Sequence, residues 1–197
     1  MENLAKLHPI IHDAAYDHVL PSWAVVSDAR RKHVESVGRL LGSWSKALKL
    51  EKNTQVRWRA AGVLHDALKG VDPNSLRREV GNSDVWSDPL LHGPACASRL
   101  RKAGIEDESL LQAIAYHTTG HPSFGSLGQA LFVADYLEPG RRRIVRKRAE
   151  WRRRMPLDWH AVLEEVTASK IMKLLERRLP IPQVTVEFWR RITEGSR

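Results

Sequence analysis

The chain has 197 residues and a mass of 22.4 kDa, with 42% hydrophobic and 28% charged residues. That balance excludes a disordered polymer and suits one domain with a sizeable core. No apolar run approaches the ~18 residues of a membrane span, and a single cysteine, Cys96, excludes an internal disulfide. The net charge of +9 is local: "RRRIVRKRAEWRRR", Arg141 to Arg154, holds nine basic residues and one acid, and without it 23 basic face 22 acidic residues.

The opening "MENLAKLHPIIHDAAYDHVL" lacks the basic-then-apolar layout of a secretory signal, so a reducing cytoplasm is expected. Residues 1–29 read as a helical segment of unassigned role. "HVESVGRLLGSWSKAL" sets Val34, Val37, Leu40, Leu41, Trp44 and Leu48 at helical spacing, with His33 opening the helix. Asn53 is the expected cap of the next helix. Its face of Val56, Ala60, Val63, Leu64, Ala67 and Leu68 carries His65 and Asp66, and Gly70 and Pro73 stop it. "DPLLHGPACASRLRKAG" predicts a helix capped by Asp88 with Pro89 at its first position, ending at Gly104.

"DESLLQAIAYH" predicts a fourth helix from Asp107 to His117, broken by "TTGHPSFGS". "LGQALFVADYLEP" predicts a fifth, ended by Pro139, and the basic stripe follows. "LDWHAVLEEVTASKIMKLLERRL" predicts a long amphipathic helix with Trp159, Val162, Leu163, Val166, Leu174 and Leu175 on one side. "VTVEFWRRI" is ambiguous between helix and strand. No stretch alternates at period two, so the expected fold is a single all-α helical bundle.

Six residues stand out within this pattern: His33, His65, Asp66, His92, His117 and Asp135. The intervals are 32, 26, 25 and 18 residues, each suited to a helix plus a turn, so each ligand would come from a different helix. One histidine on a helix is usually core or surface, and His8, His12, His18, His121 and His160 are read that way. An ordered set is different. Imidazole and carboxylate hold borderline divalent ions such as Fe, Mn, Co, Ni and Zn, and helix bundles place such sites between facing helices. Six side chains suit two ions sharing a carboxylate. Two ions ~3.5–4 Å apart are a standard device for phosphate-ester cleavage, because they acidify a shared water and neutralise phosphate charge.

His33, His65-Asp66 and Asp135 resemble the signature of the HD-domain metal-dependent phosphohydrolases. "AGVLHDALKG", "LLHGPA", "AIAYHTTG" and "ADYLEPGR" together resemble the bacterial YqeK-type proteins, over roughly residues 30–192, leaving 193–197 as a tail. The resemblance implies symmetrical hydrolysis of diadenosine tetraphosphate to two ADP by a hydroxide activated by two metal ions, with iron expected and Mn, Co or Ni as alternatives. It implies one metal held by His33, His65, Asp66 and Asp135, and a second held by Asp66 as bridge with His92 and His117. A dinucleoside polyphosphate is then the expected partner, with no membrane.

Lys69, three residues after Asp66, is a candidate to act on a phosphate oxygen; the plainer reading is a solvated lysine in a last helical turn. Thr118, Thr119 and Gly120 offer hydroxyls and an open backbone to phosphate, or simply cap a helix. Arg141 offers a bidentate fork. Trp58, Trp86, Trp151, Trp159 and Tyr136 are candidates for stacking on adenine. Two competing functions remain: another HD phosphohydrolase, such as a nucleotidase or ppGpp hydrolase, and an RNA-binding module built on the basic stripe with Trp151. "PLLHGPACASRL" lacks the acidic pair usual in alarmone hydrolases. The RNA module leaves the six metal-type residues unexplained.

Overall fold

The computed structural model describes residues 7–81, 86–140 and 144–194. Among them lie ten α-helices, one 3₁₀ turn and no strand, so the all-α expectation holds. In chain order they are α1 (Pro9–Asp17), α2 (Asp28–Ala47), α3 (Lys52–Leu64), α4 (Pro73–Glu79), the 3₁₀ turn (Asp88–Leu90), α5 (His92–Lys102), α6 (Glu108–Tyr116), α7 (Ser126–Leu137), α8 (Val145–Arg154), α9 (Trp159–Glu176) and α10 (Gln183–Glu194). No helix among the described residues is long and apolar enough to cross a membrane.

The helix starts differ from the sequence reading for local reasons. Ser27 caps α2 by accepting from the Arg30 amide, so the helix begins five residues before His33 and puts His33 in its second turn. α3 begins at Lys52 after Glu51, which leaves Asn53 inside the helix rather than capping it. Asp88 does not cap a long helix. It sits in the 3₁₀ turn, ion-paired with Arg77, and α5 starts afresh at His92. The fourth helix starts where expected, with Asp107 as its cap accepting from the Leu110 amide. "VTVEFWRRI" is helical because Thr185, Phe188 and Ile192 bury one face against the bundle, overriding the β-branched start. In α9, Val162, Leu163 and Val166 are buried, but Leu175 is 53% exposed and does not join them.

α3 is the axis of the fold. α2 packs along one side of it and α1 along another, with Ile11, Ala14 and Ala15 buried. α5 pairs with α6, α6 with α7, and α9 with α10. Trp58, Phe132, Phe188, Leu41, Leu64, Leu100 and Ile114 fill the centre. α2 and α3 cross through two glycines: a Cβ on Gly62 would lie 2.6 Å from the Gly38 Cα. α5 meets α6 in the same way, since a Cβ on Gly93 would lie 2.6 Å from the Ala115 carbonyl oxygen. These two close approaches draw the histidines of four helices toward one another.

Candidate metal centre

His65 and Asp66 do not continue α3. The helix ends at Leu64, and residues 65–70 form a chain of turns bonded three residues apart: Ala67 to Leu64, Lys69 to Asp66 and Val71 to Leu68. The N-terminal segment clamps this turn. The Val25 amide donates to the Ala67 carbonyl at 2.8 Å, and the Gly70 amide donates to the Val25 carbonyl at 2.9 Å. The helix therefore supplies apolar packing up to Leu64, and the turn lifts Asp66 into the middle of the bundle, where it is 3% exposed.

The six predicted residues converge on that carboxylate, and its two oxygens face different partners. Asp66 Oδ2 lies 3.5 Å from His65 Nε2 and 3.9 Å from His33 Nε2. Asp135 Oδ1, from α7, closes this side at 3.1 Å from His33 Nε2 and 3.9 Å from His65 Nε2. Asp66 Oδ1 lies 3.1 Å from His92 Nε2 and 3.4 Å from His117 Nε2, and those two nitrogens are 3.1 Å apart. Ligands held ~2.1 Å from one ion stand about 3–4 Å from each other, the spacing seen on both sides.

The hydrogen bonds fit a metal centre. His65 Nδ1 lies 2.8 Å from the Gly62 carbonyl, and His117 Nδ1 lies 2.8 Å from the Ile114 carbonyl. A carbonyl only accepts, so each Nδ1 carries the proton and each neutral ring keeps a lone pair on Nε2. Glu138, on the turn after α7, holds His33 Nδ1 at 3.3 Å in the same sense. Such outer partners fix the ring and tautomer of a metal-binding histidine. His33 Nε2, His65 Nε2 and Asp66 Oδ1 are buried with no hydrogen-bond partner. Buried polar atoms left that way are costly; a divalent cation on the His33–His65 side would satisfy the two nitrogens, and one on the His92–His117 side would satisfy Asp66 Oδ1.

The charge states agree. Burial pushes the His65 ring down to about 3, against the opposing pull of Asp66. Burial likewise lowers His92. Burial would raise the Asp66 carboxyl, but His65, His117 and His92 together hold it well below the usual carboxylate range. His65 and His92 are thus kept as neutral imidazoles beside an anionic carboxylate, donors that a divalent ion takes.

A cavity of about 550 Å³ opens from the His92 and His117 side. Lys69 and Thr118 line it, and the Lys69 Nζ sits 3.2 Å from His92 Nδ1. Thr119 is 4% exposed, and its hydroxyl donates to the Gly120 carbonyl. Gly120 closes α6 at φ +76°, with its amide on the Tyr116 carbonyl, and a Cβ there would meet Phe188 at 2.2 Å. Gly120 thus ends the helix, while Thr119 lines the cavity beside Thr118. Arg141 lies outside the described residues. Of the five aromatic candidates, Tyr136 lines the cavity; Trp58 and Trp151 are buried in the core, and the Trp159 indole donates to Gln129.

Three contributors are absent from the sequence reading. Arg30 donates to Asp66 Oδ2 at 2.6 Å; its position one turn before His33 on the same helix face was the available signal. Glu138 orients His33, and Arg148 lines the cavity. Among the described residues of the basic stripe, Lys147 and Arg154 are ion-paired: both meet Glu150 and Glu165, Arg154 also meets Asp158, and Arg152 donates to the Leu137 carbonyl.

Residues 30–140 match the HD domain family. The chain is 40% identical over 100 residues to the symmetrical bis(5'-nucleosyl)-tetraphosphatase of Halalkalibacterium halodurans, covering 47% of this chain and 54% of that protein. It is 42% identical over 88 residues to the Staphylococcus aureus protein of the same name, covering 41% and 45%. The chain thus spans about half the length of these two relatives. To the Bacillus subtilis protein of that name it is 32% identical over 147 residues, covering 69% and 76%. In structure it is similar to a "predicted HD superfamily hydrolase involved in NAD metabolism" from Clostridium acetobutylicum, with a TM-score of 0.77, 25% identity, and 86% and 92% of the two chains covered.

Proposed function

The chain belongs to the HD-domain family, whose centres depend on divalent metal, and from that premise we propose that it hydrolyses diadenosine tetraphosphate symmetrically to two ADP. The observation that carries this reading is the division of Asp66. One carboxylate oxygen serves a His33, His65 and Asp135 side, and the other serves a His92 and His117 side. That arrangement suits two ions, with iron the first choice and Mn, Co or Ni able to use the same donors. Bound there, the ions supply Lewis acidity at phosphorus and an acidified water near neutral pH. The names of the relatives support the substrate.

The chain's own residues do the rest by placing charge. Gly62, Ile114 and Glu138 hold three imidazoles with Nε2 toward the centre. Arg30 fixes the Asp66 carboxylate from outside and leaves the remainder of its guanidinium to the cavity. Lys69 and Thr118, beside His92 and His117, take non-bridging oxygens of the central phosphates. On this reading the HD unit runs over residues 30–192, beyond the 30–140 that match the HD domain family, with the preceding segment as its support.

The test is product analysis. Metal-loaded protein, incubated anaerobically with diadenosine tetraphosphate, is expected to give ADP as sole product, and Asp66→Ala none while keeping its helical circular dichroism. AMP plus ATP would reject symmetrical cleavage. Wild-type turnover in Asp66→Ala would remove the shared carboxylate from the mechanism. Release of pyrophosphate from ppGpp, with diadenosine tetraphosphate untouched, would favour an alarmone hydrolase.

A further inference from the structure

One member of the basic stripe behaves unlike its neighbours. Arg146 and Arg153 are exposed and Lys147 and Arg154 are ion-paired, but Arg148 is 6% exposed. Its guanidinium lies 4.5 Å over the Tyr136 ring, and its Nε is buried without a hydrogen-bond partner. A buried guanidinium with an unmet N–H is an expensive arrangement unless something fills it. Arg148 lines the same cavity as Asp66, His92 and His117.

The wall beside it is cationic as well. Lys170 and Lys173 on α9 and Arg177 at its C-terminal end recur at helical spacing and all line the cavity, with the Lys170 ammonium 3.8 Å over the Phe132 ring. The only carboxylates lining the cavity, among the described residues, are Asp66 and Asp135. Both belong to the metal cluster. The cavity lining on the α8–α9 side is therefore basic, and a low-dielectric pocket concentrates its positive potential.

We propose that Arg148, Lys170 and Lys173 form an anion subsite that holds the phosphates of a nucleoside 5'-diphosphate, the half of the substrate lying on the α9 side of the bond that breaks. The proposal rests on the hydrolase reading for the identity of that half. It assigns the subsite a specificity role: it grips phosphates beyond those at the metals, so it favours longer polyphosphate chains. The planar Arg148 fork suits a bidentate phosphate contact, while the lysines act as point charges.

The test is calorimetric titration of ADP, which is not cleaved, into metal-loaded protein. Arg148→Gln and the double variant Lys170→Gln/Lys173→Gln are each expected to weaken ADP at least tenfold, to flatten the salt dependence of binding, and to raise KM for diadenosine tetraphosphate more than they lower kcat. Metal content should not change. Arg153→Gln, exposed on α8 and away from the cavity, is the control. The double variant sits at the partly open cavity wall and carries the test if Arg148→Gln fails to fold. Wild-type ADP affinity in both charge variants overturns the subsite. If wild-type protein leaves diadenosine tetraphosphate intact but loses ADP binding in the variants, the hydrolase reading falls and the anion subsite stands.

Discussion

Replacing Gly62 with alanine probes the crossing that assembles the centre. The added Cβ would stand 2.6 Å from both the Cα and the amide nitrogen of Gly38, and 2.9 Å from the Val37 carbonyl carbon. Ordinary contact between such atoms is about 3.5–4.0 Å, so the shortfall is about 1 Å. All three atoms are backbone, and no side-chain rotation relieves them. α2 must move off α3, taking His33 away from His65 and Asp66. Overpacking of this kind costs about 1–3 kcal/mol, while alanine's better helix propensity returns up to ~1 kcal/mol. A net loss of about 1–2 kcal/mol corresponds to a fall in Tm of about 2–8 °C. Gly38→Ala should do less, because its nearest neighbour is the Val63 Cγ2 side-chain methyl at 2.8 Å. Thermal melts monitored by circular dichroism, with metal content measured on the same samples, read both effects. A Gly62→Ala protein with wild-type Tm and full metal occupancy, or a Gly38→Ala protein that is hurt more, would refute the reasoning.

Asp107→Ala removes the cap of α6 and the paired bonds to Arg57, at 2.5 and 2.7 Å. A cap is worth ~1 kcal/mol and a charge-assisted bond about 1.5–3 kcal/mol, so urea unfolding should show a loss of about 2.5–4 kcal/mol. Cys96 is fully buried, and burial together with the nearby Asp66 raises its thiol above the ordinary value; it should react with a thiol-specific dye no faster than the protein unfolds, and fast labelling of native protein would contradict the packing. Glu165 is held down to about 2 by the hydrogen bond from Arg154, with further help from Trp151 and Lys147 and against the cost of burial. Its folded pKa is depressed, so its stabilisation is complete above the ordinary 4.5 and drains away as pH falls toward about 2. Urea midpoints measured across that window should fall less steeply in Glu165→Gln, and parallel curves would remove Glu165 from the acid response.

The metal cluster was legible because its residues are of the wrong polarity for the apolar helices around them. Each of His33, His65, Asp66, His92, His117 and Asp135 interrupts a helical pattern that would otherwise be core. The cavity wall was hidden for the opposite reason. Arg148 is one of nine basic residues in its stretch, and only the way α8 packs on its neighbours decides which of them turns inward. Lys170, Lys173 and Arg177 share a spacing, but a charged stripe on a helix is usually its solvated face. Local backbone chemistry misled the helix starts as well. Ser27 outcompetes the later positions as a cap, and Asp88 spends its carboxylate on Arg77 instead.

The clamp between Val25 and the turn at residues 65–70 has a dynamic consequence. The Val25 side chain is 47% exposed, yet its two backbone bonds hold Ala67 and Gly70, in the turn that carries Asp66. The amides of Val25 and Gly70 therefore belong to one opening unit and should exchange with solvent deuterium together, at a rate set by release of the segment before α2. Cleavage of the chain between α1 and α2 would loosen the aspartate without touching any ligand. The stability of the centre is thus set partly by a stretch of chain that carries no chemistry of its own.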